Sequence, residues 1–210
     1  MTEIILGNTV LQGILTVPKD SKGIVLFAHG SGSGRLSPRN QFVAKKLAES
    51  GLATLLMDLL TPEEESVDEL TRQYRFDIDL LAERLIGTAE WLRGQNETKN
   101  LTIGYFGAST GAAAALVAAA KQGDLIKAVV SRGGRPDLAL DGIEHVTAPT
   151  LLIVGGDDFG VIELNEKAFQ ALHAPKKLEI VPGATHLFEE AGTLEVVATL
   201  ATNWFLAHLR

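Results

Sequence analysis

The stretch Leu101-Thr102-Ile103-Gly104-Tyr105-Phe106-Gly107-Ala108-Ser109-Thr110-Gly111, running on into Ala112-Ala113-Ala114-Ala115, decides how the rest of the chain is read. A short apolar run ends in a Gly107-x-Ser109-x-Gly111 pentapeptide, and an alanine-rich segment of helical character follows at once. The order has a physical cause. A tight strand-to-helix turn forces its central residue into a strained backbone conformation, and glycines two positions to either side remove side chains that would collide there. Ser109 then projects above the end of a sheet. A serine hydroxyl is a weak nucleophile until a base takes its proton, so the stretch predicts a histidine nearby and an acid to orient it.

Outward from this centre, short apolar runs alternate with segments of helical period. Ile24–Ala28, Leu52–Met57, Leu101–Phe106, Ala128–Val130, Thr150–Val154 and a final Leu178–Val181 read as strands. Runs apolar on both faces suit a parallel sheet covered by helices. Helices are expected at Pro38–Ser50, with Ser37 as N-cap and Pro38 in the first turn, and at Thr71–Arg93, Thr110–Lys121, Glu163–Leu172 and Thr193–Leu209. Within Thr71–Arg93, Tyr74, Ile78, Leu81, Leu85, Ala89 and Leu92 form one buried stripe, and Tyr74, Phe76, Trp91 and Trp204 are expected in the core. Val10–Val17 after Gly7-Asn8 predicts an opening hairpin or antiparallel pair. The acidic stretch Thr61–Thr71 reads as an exposed loop leading into a helix. The expected architecture is one α/β domain over residues 1–210: a doubly wound, mostly parallel sheet with helices on both faces and ligands at the carboxyl ends of its strands.

Composition narrows the function classes. With 19 basic and 26 acidic residues the 210-residue chain carries a formal charge of −7, which argues against a phosphate-backbone binder and against nucleic acid as partner. Cysteine is absent, which excludes disulfide scaffolds, thiol nucleophiles and thiolate metal sites. The start lacks the basic and long apolar character of a signal peptide, and the longest apolar run, Gly111 to Ala120, is about half the roughly 20 residues a membrane span needs. A cytoplasmic protein without a membrane partner is expected.

Five histidines compete for the role of base. His186 follows the last expected strand and takes it; His29 ends the first parallel strand and is assigned to shaping the next loop by hydrogen bonding. His145, His173 and His208 are expected to be solvated or locally paired. For the orienting acid, Gly155-x-x-Asp158-x-x-Val161 favours Asp158, with Asp157 and Asp137 as alternatives. An acyl-transfer site also needs donors for the oxyanion of its tetrahedral intermediate. The backbone N–H groups of Thr110, next after the nucleophile, and of Ser31, in the His29-Gly30-Ser31-Gly32-Ser33-Gly34-Arg35 loop, are the expected pair. A dinucleotide fingerprint starting at Gly30 would need glycine where Arg35 stands.

The His29-Gly30 loop, the Ser109 turn, the Asp158 turn and the His186 loop, in that order over nearly the whole chain, together resemble an α/β-hydrolase of the dienelactone hydrolase-like group. Dienelactone hydrolases proper use cysteine as nucleophile, where this chain has Ser109, which points away from dienelactone itself as substrate. The resemblance implies a serine hydrolase acting on small carboxylic esters or lactones through Ser109, His186 and Asp158, with no cofactor and no metal. Thioesterase or acyltransferase chemistry on the same triad, and a noncatalytic ligand-binding role, are the alternatives. Only about 18 residues separate Val130 from Pro149, too few for the large helical cap that many such proteins insert there. Arg35, Arg132 and Arg135 are expected near the cleft, either binding an anionic part of the substrate or paired with Asp137, Glu189 or Glu190. Glu189 and Glu190 are assigned to a solvated helix start.

Overall fold

The computed structural model of the protein describes residues 1–209. Eight strands form one sheet: β1 (Thr2–Leu6), β2 (Thr9–Thr16), β3 (Gly23–Ala28), β4 (Ala53–Met57), β5 (Thr102–Ala108), β6 (Ile126–Arg132), β7 (Thr150–Gly155) and β8 (Lys176–Val181). Their spatial order is β1-β2-β4-β3-β5-β6-β7-β8. β1 and β2 form the expected antiparallel hairpin and β2 runs antiparallel to β4; every other pairing is parallel. Strands β3, β4 and β7 are buried along their whole length, as strands covered on both faces must be. The edge strand β8 is instead exposed or partly buried at every position but Val181 and carries Lys176, Lys177 and Glu179, charges that blunt an open edge.

Six helices cover the sheet: α1 (Pro38–Glu49), α2 (Pro62–Thr71), α3 (Ile78–Gly94), α4 (Thr110–Gln122), α5 (Phe159–Ala171) and α6 (Thr193–His208). One core layer is built under α3, α4 and α5 by residues such as Leu81, Leu85, Leu116 and Leu172. The other lies under α1 and α6, where Leu47, Val197 and Phe205 meet Phe27, Phe106 and Val130 of the sheet. Ala112–Ala115, Ala118 and Ala119 of α4 are fully buried because small side chains let that helix settle onto the sheet. Among the described residues no helix is long and apolar enough to cross a membrane.

Three expectations about local structure are corrected. Residues 61–71 are not a loop: α2 occupies Pro62–Thr71, and Thr61 closes a capping box with Glu64, whose side chain bonds back to the Thr61 N–H. The expected helix Thr71–Arg93 begins only at Ile78, capped by Asp77; Arg72, in the left-handed region at φ 58°, ends α2 before it. Tyr74 therefore packs on the core from a loop, and Phe76, 54% exposed, is not a core residue. Arg132 belongs to β6, which outlasts the expected Ala128–Val130, and not to the connection after it.

The topology selects one place for a ligand. β3 lies between β4 and β5, so the chain leaves β3 to one side for β4 and later returns to its other side as β5. At such a reversal the loops leaving the carboxyl ends diverge and open a crevice. The loop after β3 begins at His29, and the turn after β5 is Ser109.

Candidate active site

Ser109 stands between β5 and α4 with φ 51° and ψ −122°, a conformation that a non-glycine residue holds only when its surroundings enforce it. They do so through close backbone packing. A Cβ at Gly111 would overlap the carbonyl oxygens of Ala28 and His29, and one at Gly107 would overlap the backbone of Gly111 and Ala112. Hydrogen bonds from the Ser109 N–H to the Arg132 carbonyl (3.2 Å) and from the Arg135 N–H to the Ser109 carbonyl (3.1 Å) tie the bend to β6 and its exit.

His186 reaches this bend from the loop after β8. Its Nε2 lies 3.3 Å from Ser109 Oγ and its Nδ1 lies 2.7 Å from Asp158 Oδ2. With the proton on Nδ1 donated to the carboxylate, Nε2 is free to accept from the serine hydroxyl. Of the three candidate acids, Asp158 is the one within reach of His186. Asp137 is engaged by Arg135 through two hydrogen bonds of 2.8 and 2.7 Å, which hold its carboxyl below the ordinary carboxylate range. Asp157, next in sequence to Asp158, donates its backbone N–H to the Ala184 carbonyl.

The loop after β3 meets the start of α4. Ser31 Oγ lies 3.1 Å from Thr110 Oγ1, and a Cβ at Gly30 would come within 3.1 Å of the Ser109 Cβ. The two residues expected to supply oxyanion donors are thus neighbours beside Ser109. Thr110 is the first residue of α4, where a backbone N–H has no acceptor within its own helix. His29 fixes the loop in the expected manner: its Nε2 accepts from the Leu59 N–H (3.0 Å), which leaves Nδ1 to donate to the Gly30 carbonyl (2.9 Å). Burial pushes its pKa below the ordinary imidazole value, so the ring is held neutral.

The three arginines part company. Arg35 is turned onto Asp58, and Arg135 forks onto Asp137. Neither lines the pocket of about 170 Å³ that contains Ser109 and His186. Arg132 does line it. Its register partner is Ala108, immediately before Ser109. Its guanidinium is buried and donates only a long 3.4 Å bond to the Leu187 carbonyl. Burial, with the like charge of Arg39, pushes its pKa down to about 10, still above neutrality. Sequence reasoning missed Arg39 and Asn40 on the same pocket. The signal was present: Ser37-Pro38 marks a helix start just after the first strand-end loop, which aims the amino end of α1 at the same crevice. Glu189 pairs with Arg39 (2.9 Å) and Glu190 accepts from Thr185; α6 starts only at Thr193, so neither forms a helix start. His145 lies 3.8 Å from Glu144, and His208 packs on Trp204.

The connection from β6 to β7 holds only two single 3-10 turns, Pro136–Ala139 and Ile143–His145, so no helical cap closes over the pocket. About 37% of the His186 side chain remains exposed. A sheet of this order, with a serine on a strained strand-to-helix turn and a histidine–aspartate pair beside it, defines an α/β-hydrolase fold.

The chain belongs to the dienelactone hydrolase family, whose model matches residues 11–204. A crystal structure of a dienelactone hydrolase from Anabaena variabilis is similar to it, with 57% identity, a TM-score of 0.98 and coverage of 100% of this chain and 97% of that one. Est1E from Butyrivibrio proteoclasticus shares the fold, with a TM-score of 0.82 at 18% identity over 98% of this chain and 97% of that one. A Mycobacterium tuberculosis protein named putative phosphoribosyl transferase is 58% identical over 207 residues, which is 99% of this chain and 46% of that protein. The chain therefore spans about half the length of that relative. Family and fold support a hydrolase.

Proposed function

We propose that the protein is a serine hydrolase that cleaves small carboxylic esters or lactones through an acyl-enzyme on Ser109. The observation that carries this reading is the alignment of Ser109 Oγ, His186 and Asp158 at 3.3 and 2.7 Å on a turn strained enough to hold the serine above the sheet. In the proposed cycle His186 Nε2 takes the hydroxyl proton as Oγ attacks the carbonyl carbon, and Asp158 stabilises the imidazolium through its Nδ1–H. The carbonyl oxygen gathers negative charge and accepts from the backbone N–H groups of Ser31 and Thr110. His186 then protonates the leaving alkoxide, and water, activated by the same ring, releases the acid. An uncapped pocket and a partly exposed His186 support small or accessible esters over long buried acyl chains. The reaction as written calls on no cofactor and no metal.

The transferase name of the mycobacterial relative belongs to a protein more than twice the length of the matched segment.

The test is covalent labelling by a fluorophosphonate, read as a mass increase on Ser109, together with turnover of a panel of small esters, lactones and thioesters. Labelling at Ser109 and acid release from oxygen esters are expected. Folded protein that neither labels nor turns over any panel member would leave a noncatalytic binding role, and products formed only with added alcohols or amines would indicate acyl transfer.

A further inference from the structure

Arg132 poses a question that the proposed hydrolysis does not answer. A buried guanidinium is costly unless a partner offsets the lost hydration. Among the described residues no carboxylate lies within ion-pair distance of it, whereas Arg35, Arg39 and Arg135 each have one. Its neighbours are the Leu187 carbonyl, the Phe188 ring at 5.7 Å and the like-charged Arg39. Nothing acidic lines the pocket into which it faces.

A second observation points the same way. The same pocket is also lined by the amino end of α1, a 12-residue helix capped by Ser37, which brings Arg39 and Asn40 to the site with the positive end of the helix behind them. Arg39 Nε and Asn40 Oδ1 are buried and have no hydrogen-bond partner. An amide turned about its axis presents its NH2 in place of that oxygen. Ser33 and Ser37 add hydroxyls from the loop between β3 and α1.

We propose that this pocket binds a phosphate-type oxyanion carried by the ester substrate, held between Arg132 on β6 and Arg39 on α1. The inference rests on the hydrolase reading above and specifies its substrate class. The donors come from β6, from α1 and from the loop before α1, so they converge from three directions. A planar carboxylate has two oxygens and is satisfied by one guanidinium fork; a tetrahedral group with three terminal oxygens uses all three directions. Charge agrees, because two guanidiniums face a group that carries about −1.5 to −2 at pH 7. Glu189, more exposed than Arg39, pairs with that arginine at 2.9 Å and does not itself line the pocket. The pocket also holds Ser109 and His186, so the phosphate sits close to the ester bond that is cut.

The experiment compares three esters of equal length that end in phosphate, carboxylate or hydroxyl, read as ratios of kcat/KM. The phosphate ester is expected to exceed the hydroxyl ester by about tenfold or more, and Arg39→Gln or Arg132→Lys is expected to cut that ratio by about tenfold, whereas Arg93→Gln, paired with Glu90 on α3, leaves it unchanged. Arg39 is partly exposed, so its variant keeps the test valid if the Arg132 variant fails to fold. A ratio near one in the wild type, or one that both variants preserve, overturns the proposal. Preference for the carboxylate ester also overturns the phosphate assignment. Binding of methylphosphonate to the Ser109→Ala protein, followed by calorimetry, separates this inference from the reading beneath it. Binding that Arg39→Gln abolishes supports the anion site even if no ester is cleaved, and absence of binding in a protein that hydrolyses neutral esters rejects the site alone.

Discussion

Ser109 is held by backbone packed against backbone, and the loops that carry Asp158 and His186 meet in the same way at Gly155, where a Cβ would overlap the Ala184 and Thr185 carbonyls, but the His186 ring itself is oriented by one side-chain hydrogen bond and is partly open to solvent. Around the serine, the crossing of α4 over the ends of β3 and β5 leaves no room for a single methyl group at Gly107 or Gly111. Around the histidine, the ring is positioned by Asp158 from the loop after β7. Steric confinement fails abruptly and hydrogen-bonded positioning fails by degrees. The proposed nucleophile is thus placed by the packing of the backbone, and the ring of the proposed base takes its orientation from one hydrogen bond.

Substitutions on the two sides sharpen this contrast. Ser109→Ala removes the proposed nucleophile and nothing from the packing, so turnover of an activated ester is expected to fall roughly 10⁶-fold with an unchanged unfolding midpoint. Asp158→Asn leaves a side chain of the same shape but holds the ring in the wrong tautomer, with an expected loss of roughly 10³–10⁴-fold in kcat, while Asp157→Asn changes kcat little. Equal losses from the two aspartates would remove Asp158 from its role. On the packed side, Gly111→Ala drives a Cβ into the carbonyls of Ala28 and His29, and a loss of about 3 kcal/mol in denaturant-measured stability is expected. A variant that folds as well as the parent would show that the turn is not confined in this way.

The smallest effect is expected at His29, which joins both modes because a side-chain hydrogen bond there holds the packed loop. His29→Ala leaves the buried Leu59 N–H without its acceptor and is expected to cost about 1–3 kcal/mol. The sign of its pH dependence follows from the shift. The folded pKa lies below the unfolded value of 6.5, so the unfolded chain takes up the proton first as pH falls. The wild type is therefore fully stabilised above about pH 6.5 and loses stability below it, down through the depressed folded value. Denaturant titrations of wild type and variant between pH 7.5 and 5 are expected to converge; parallel curves would exclude His29 as their cause.

Which parts of this were legible in the sequence depended on whether a residue's role is imposed by its neighbours in the chain. The strained turn at Ser109 was legible because glycines two positions to either side suit a tight strand-to-helix bend, and that constraint is local. Asp158 and His186 were legible because strand ends can be counted. The helix α2 was missed although its capping box, Thr61 to Glu64, was written in the sequence; the run of three glutamates drew the reading toward solvent. The start of α3 was misplaced because Tyr74 continues the helical spacing of the stripe. What breaks the helix there reaches past the helical repeat: Asp68, buried, accepts from the backbone N–H groups of Tyr74 and Arg75, six and seven residues on, and from the Arg75 side chain, fixing a turn that hydrophobic spacing does not specify.

The arginines mark the boundary between the two kinds of information. The sequence by itself determined the alternation of strands and helices and the type and order of the reactive groups, because hydrophobic period and turn chemistry act over a few residues. It placed Arg35, Arg132 and Arg135 at the crevice and left their partners open. Only the tertiary structure decided that Asp58 and Asp137 claim two of them while Arg132 has no carboxylate partner among the described residues and shares its pocket with Arg39. Charge pairing depends on distance in space, and the distance between β6 and the start of α1 is set by how six helices close over one sheet.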